Sequence, residues 1–258
     1  MTLAPETQRS PSGILVIDKP LGRTSMNICA VVRAKLRRGG APKGIKVGHG
    51  GTLDPLASGV LVILIGRATR LCDRIMQGRK RYLMTIDLAH VSPTHDRESE
   101  FTPYIPPIGT LPQPPADRVI RALETFQGTI DQVPPIHSAI NLGGSRAYHL
   151  AREGLDVPVR ARPVTIDSIS LVSYHWPLLT IDVACGKGTY MRSLARDIGL
   201  ALGTGGVLDS LRRTEVAPYS IDHARNFHDL PGNLIQADLD PVPGNEDSAN
   251  PPDADQSR

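Results

Sequence analysis

The segment Gly48 to Gly66, GHGGTLDPLASGVLVILIG, places a single carboxylate, Asp54, in a loop rich in glycine and proline just before a strongly apolar run. An aspartate held in irregular backbone at the mouth of a buried strand has the chemistry of a nucleophile, a general base or the partner of a cation. Gly50 and Gly51 open backbone angles closed to other residues and allow close approach of another chain. Pro55 biases Asp54 away from helical geometry. The same pattern equally describes a turn aspartate that bonds its own backbone. A phosphate-cradling loop needs Lys and Ser/Thr directly after its glycines, which GGTLDP lacks. A glycosidase needs a second carboxylate, and no acid in the sequence announces itself as that partner.

Arg192, in GKGTYMRSLARD, falls in the first turn of a predicted helix, where the macrodipole disfavours a cation. A carboxylate or phosphate opposite it would explain the placement, with Asp197 or Glu153 as structural alternatives. Tyr82 begins a predicted strand after the basic cluster GRKR, an arrangement suited to base stacking beside phosphate contacts. A core tyrosine satisfies the same pattern, and His49 has the same two readings. No His/Cys/Asp spacing matches a metal site, so none is expected.

The elements that must position these residues follow from periodicity. GILVID reads as a buried strand, and Thr24 or Ser25 caps a helix with Ile28, Val31, Val32 and Leu36 on one face. VLVILIG is apolar enough to be covered on both faces. A helix is predicted over 68–77, a strand over RYLMTIDLA, and a long loop over 91–116. Another helix follows over 117–127, with Val119, Ile120, Leu123 and Phe126 inward. Two strands meet near Trp176–Pro177, and a helix over 189–202 closes the pattern. Strands and helices alternate without a repeated βαβ unit, so the fold class is mixed α+β.

Composition bounds the rest. The chain has 258 residues, 40% hydrophobic and 21% charged, which suits a folded domain rather than a disordered or fibrous chain. Apolar runs are too short to span a membrane. The start, MTLAPETQRSPSG, has no secretion core, and three scattered cysteines suit a reducing cytoplasm. Seven acids and one base lie in 229–258, leaving 28 Lys and Arg against 19 Asp and Glu on residues 1–228. A body that basic suits a polyanionic partner.

Five blocks, GILVIDKPLGRTS, VGHGGTLDPLASGVL, KRYLMTIDLA, PPIHSAINLGGSRAYHLAREG and CGKGTYMRSLARDIG…LRRT, occur in this order. Together they closely resemble the TruB family of tRNA pseudouridine synthases, over roughly Gly13 to Tyr219. The resemblance implies isomerisation of uridine 55 in the tRNA T-loop to pseudouridine, without cofactor or metal. It implies that Asp54 is the catalytic aspartate, Tyr82 stacks on the flipped uracil, Arg192 pairs with the carboxylate and His49 helps extrude the base. Tyr190 and Leu211 resemble cleft-wall residues. Lys19 and Pro20 match a structural motif. With tRNA as the partner, Lys43, Lys46, Lys80, Arg81, Arg146 and Arg152 become expected phosphate contacts.

The resemblance also implies the pseudouridine-synthase fold, with a mixed, mostly antiparallel sheet flanked by helices and loops. Residues 1–12 are expected to be a disordered leader and 13–226 the catalytic domain. An insertion over about 131–160 is expected to clamp the T-arm. Residues 227–258 are expected to be an acidic, proline-rich disordered tail, with no PUA domain. A cytoplasmic monomer is the expectation. Departures from the family pattern are His137 for tyrosine, Asn141 for lysine, CGKG for a serine form, and no glycine after the strand DLA. The rival readings are the same chemistry on ribosomal or messenger RNA, and a T-arm-binding chaperone without catalysis.

Overall fold

The computed structural model describes residues 10–107, 113–135, 141–142, 145–146 and 160–243. Strand β1 (Gly13–Lys19) is formed by an apolar run in which Ile14 to Ile17 are all buried. Helix α1 (Ser25–Arg38) starts at a capping box: the Thr24 hydroxyl accepts from the Asn27 N–H, and the Asn27 side chain accepts from the Thr24 N–H. Two first-turn donors are thereby satisfied. Ile28, Cys29, Val32 and Leu36 form its buried stripe.

Strands β2 (Val47–His49) and β3 (Ala57–Ile65) follow. In β3, Leu61, Ile63 and Ile65 pack with the α1 cluster, while Val60, Val62 and Leu64 pack in the cluster on the other side. The run is covered on both faces, as its composition requires. The helix expected over 68–77 is a 3₁₀ turn over Gly66–Leu71 continuing into α2 (Cys72–Gln77). After β4 (Lys80–Asp87), the long loop carries one small hairpin, β5 (His90–Val91) with β6 (Thr102–Pro103). Helix α3 (Ala116–Glu124) buries Val119 and Leu123 but leaves Ile120, expected inward, exposed. The remaining elements are β7 (Gly128–Gln132), β8 (Asn141–Leu142), β9 (Ser145–Arg146), β10 (Arg162–His175), β11 (Leu178–Cys185), α4 (Met191–Leu202), β12 (Val207–Val216), β13 (Tyr219–Ser220) and β14 (Arg225–Asn226).

Ten of these strands form one sheet in the order β14-β1-β3-β12-β4-β11-β10-β7, with β2 on β3 and β13 on β12. Among the described strands of this sheet only β1–β14 and β3–β12 are parallel pairs, so the sheet is mixed and mostly antiparallel, as expected. Helices α3 and α4 cover β4, β11 and β10 through Val119, Leu123, Leu194 and Ile198. The parallel contact of β12 with β3, at Leu211 to Ala57, brings the loop before β3 next to the middle of β12. That crossing positions the site.

The chain beyond residue 226 corrects an expectation. Phe227, Leu230, Leu234 and Leu239 are buried in the α1 cluster. The Leu234 N–H donates to the Lys35 carbonyl, and Ile14 and Asp240 exchange backbone hydrogen bonds at 2.9 and 2.8 Å. Averaged composition hides four well-spaced apolar anchors among acids and prolines. Residues 244–258 lie outside the described residues, as do 136–140, 143–144 and 147–159 of the expected insertion.

Candidate active site

The loop that carries Asp54 is held from several directions. Ser25, first residue of α1, both donates to the Leu53 carbonyl and accepts from the Leu53 N–H, each at 2.9 Å. The Gly22 N–H reaches the Pro55 carbonyl at 2.8 Å, and the Ala57 N–H reaches the Asp54 carbonyl at 3.1 Å. The Arg213 side chain, 2% exposed, donates from Nε to Val60 O (2.8 Å), from Nη1 to Thr52 O (3.0 Å) and from Nη2 to Gly51 O (3.2 Å). A buried guanidinium thus satisfies carbonyls that a loop this irregular would otherwise leave unpaired. Gly51 sits at φ +128°, in the range that needs glycine, and a Cβ on Gly50 would lie 2.4 Å from Ile75. The Asp54 carbonyl closes the turn, while its carboxylate is half exposed and faces Arg192 in the cleft.

Arg192 is the second residue of α4 and is buried. Its Nε lies 3.8 Å from Asp54 Oδ2 and its Nη1 lies 3.3 Å from Asp96 Oδ2. A cation in the first turn works against the helix dipole, and two carboxylates compensate for it. The candidate mate Asp197 pairs instead with Arg196 at 2.8 Å, and Glu153 lies outside the described residues. Asp96 belongs to the long loop between β4 and α3; its carboxylate accepts from Thr94 Oγ1 (2.6 Å) and from the Glu98 N–H (2.9 Å). The start of α4 is fixed by Gln132, fully buried, whose amide donates to Tyr190 O (3.2 Å) and accepts from Tyr190 N–H (2.8 Å).

These residues border one cleft of about 530 Å³ lined by Asp54, Tyr82, Tyr190, Arg192 and Leu211 among others, a size suited to a nucleotide-sized ligand. Tyr82, on β4 beside β12, is half-buried. Burial raises its phenol pKa against the opposing pull of Arg213, so it is neutral at physiological pH. The Arg162 guanidinium lies 5.1 Å above the Tyr190 ring. Lys19 is fully buried with its ammonium on the carbonyls of Pro20 and Arg23, which fits its structural reading; burial lowers its pKa to about 8 against the raising effect of Asp54.

One expected phosphate contact is placed differently. Lys80 lines the cleft but is buried, its ammonium turned to the carbonyls of Met76 and Gly78 at the C-terminal end of α2, so it is not an exposed phosphate contact. Burial lowers its pKa, as does the nearby Arg213. His49, the last residue of β2, is half-buried and is not among the residues that line the cleft; its Nδ1 has no hydrogen-bond partner among the described residues, and burial followed by Arg213 lowers its pKa. Lys43 and Lys46 are exposed, and Arg81 is exposed and paired with Asp182 at 2.7 Å. Arg146 lies on β9 with only its backbone described, and Arg152 and His137 lie outside the described residues.

The TruB family pseudouridylate synthase N-terminal domain matches residues 37–191, and the tRNA pseudouridylate synthase B C-terminal domain matches 192–241. The chain belongs to the TruB family. It is therefore a pseudouridine synthase, an isomerase. It is 42% identical to the tRNA pseudouridine synthase B of Parabacteroides distasonis over 86% of this chain and 93% of that one. It is 43% identical to the protein of the same name from Mycobacterium tuberculosis over 84% of this chain and 71% of that one. A crystal structure of a Cbf5-Nop10-Gar1 complex contains a chain superposing with TM-score 0.63 at 29% identity, over 84% of this chain and 53% of that one.

Within this TruB-family enzyme, three supporting residues escaped sequence reading. Asp96 sat in a loop of prolines and polar residues where nothing singled out one acid. Arg213 was inside a recognised block, LRRT, but a strand arginine usually reads as solvated surface. Gln132 carries no chemistry of its own and works only through Tyr190. Among the described residues, no group of three His, Cys, Asp or Glu side chains is arranged to hold a metal ion, and no helix is long and apolar enough to cross a membrane.

Proposed function

We propose that the enzyme converts uridine 55 in the T-loop of tRNA to pseudouridine, with Asp54 as the reacting carboxylate. In this reaction the bond from ribose C1′ to uracil N1 breaks, the base rotates, and a C1′–C5 bond forms. The C5 proton leaves and N1 ends protonated, so atoms balance without an oxidant, reductant or nucleotide cofactor. An ionised carboxylate beside the sugar is the one reagent required, whether it attacks C1′ or takes a proton from the ribose. Arg192 fixes its direction, and positioning is a major share of such catalysis.

A uridine within a folded loop must leave its stack to reach a cleft of this kind. Tyr82 then offers the uracil a ring face, and Leu211 and Tyr190 wall the space. Exposed Lys43 and Lys46 supply phosphate contacts, and Arg81 adds a third cation at the surface. The observation that carries this reading is the shared cleft of Asp54, Arg192 and Tyr82. The names of the relatives, which specify tRNA, support the choice of substrate.

Incubating the purified protein with unmodified tRNA tests the reading. The native protein should form pseudouridine at the T-loop, and Asp54→Asn should lower the rate by at least about 10³-fold while retaining tRNA binding. Equal product from both proteins removes Asp54 from the chemistry. Product in ribosomal or messenger RNA with none in tRNA moves the substrate.

A further inference from the structure

We propose that Arg97 and Asp209 form a strap that positions Asp96, and through it Arg192, for the reaction. This rests on the reading of Asp54 as the reacting carboxylate. Among the described residues no apolar side chain is buried over 89–107, so polar contacts must hold the segment that carries Asp96. Backbone bonds from Gly206 N–H to His90 O (3.0 Å) and from Leu208 N–H to His95 O (2.9 Å) lay it against the start of β12. Two of the described ion pairs then tie residues 91–107 to the body: Asp96 with Arg192, and Arg97 with Asp209.

Arg97 grips Asp209 twice. Its Nε donates to the Asp209 carbonyl at 2.9 Å, and its Nη2 donates to the carboxylate, which is only 18% exposed. The ring of Phe101 lies 5.6 Å below the guanidinium. A half-exposed ion pair on a free side chain contributes little, but this one anchors the residue next to Asp96. Asp96 itself bridges Leu208 on β12, and Arg97 follows it onto the next residue, Asp209, so fixing Arg97 on β12 holds Asp96 in place opposite Arg192. A pocket of about 20 Å³, bordered by Asp54, Asp96, Arg97 and Asp209, lies where the strap meets the cleft. That is room for about one water molecule, so the strap also limits solvent behind the two carboxylates.

Arg97 and Asp209 are not among the residues that line the cleft of Tyr82 and Arg192, and their role is positional. The test is the single-turnover rate with enzyme in excess over unmodified tRNA. Arg97→Ala and Asp209→Ala should each slow conversion by about 3- to 30-fold, below the ~10²-fold that a 1 Å misplacement can cost. The enzyme concentration at half-saturation should stay unchanged. Arg97→Lys should recover part of the rate. In an Asp96→Asn background, Arg97→Ala should add no further slowing, because residues acting through one another are not additive. Arg121→Ala, which breaks a surface pair on α3, is the control and should be silent. Thermal melting of each variant runs alongside, with Asp209→Asn replacing Asp209→Ala if the latter unfolds. Native rates in the strap variants, equal slowing in the Asp96→Asn background, or a change in half-saturation alone would each overturn the strap. No product from the native enzyme would overturn both the strap and the functional reading, whereas an active native enzyme with silent variants overturns only the strap.

Discussion

Arg192 Nη1 lies 3.3 Å from Asp96 Oδ2, closer than Arg192 Nε lies to Asp54, at 3.8 Å. The guanidinium is therefore held by one buried carboxylate and presented to another that is half exposed. Asp96 orients; Asp54 is left accessible. Asp96→Asn should accordingly reduce single-turnover conversion by about 10- to 100-fold with tRNA affinity little changed. Arg192→Lys should do at least as much harm, since a single ammonium cannot face both carboxylates as the planar fork does. Unchanged rates in Asp96→Asn would mean that Arg192 is aligned by other means.

Arg213 gives a prediction about stability. Replacing it with methionine leaves the carbonyls of Gly51, Thr52 and Val60 without their donors. Each unsatisfied buried group costs about 1–3 kcal/mol, and partial access of water moderates the sum. A loss of about 2–4 kcal/mol in urea unfolding is expected, together with low activity in the fraction that remains folded. A variant with native stability would show that the loop holds itself.

The pH dependence of stability follows from Lys19. Its folded pKa is about 8, below the ordinary 10.5, with burial as the main cause. Between those values the unfolded chain keeps a proton that the folded enzyme has released. Stability therefore gains a contribution as pH rises through that window. The urea midpoint measured from pH 8 to 10.5 should carry this rise in the native enzyme and lose it in Lys19→Met. An identical pH profile in the two proteins would assign the rise elsewhere.

Affinity for tRNA should fall steeply with salt. Lys43 and Lys46 are exposed, with no ion pair to a carboxylate among the described residues. Each phosphate contact contributes a slope of about 0.7–0.9 in log affinity against log salt. Lys43→Ala and Lys46→Ala should each lower the slope by about that amount, and Lys80→Ala should not, because its ammonium is committed to Met76 and Gly78. A salt-independent affinity would remove this surface from the docking interface.

The sequence alone determined the order and kind of most elements and the residue types that meet in the candidate cleft. The double-sided apolar run of β3, the capped start of α1 and the stripe of α4 are local patterns, set by side-chain period and by the chain's own first-turn donors. Asp54, Tyr82 and Arg192 were legible because they stand in ordered blocks whose succession is specific. Only the tertiary structure decided which acid opposes Arg192, that Arg213 holds the loop of Asp54 and that Gln132 sets the start of α4. It also turned Lys80 inward and buried Phe227, Leu230, Leu234 and Leu239 where composition implied disorder. These are relations between residues far apart in the chain. Periodicity reports which face of an element is apolar, but only the crossing of β12 with β3 decides which side chains share a cavity.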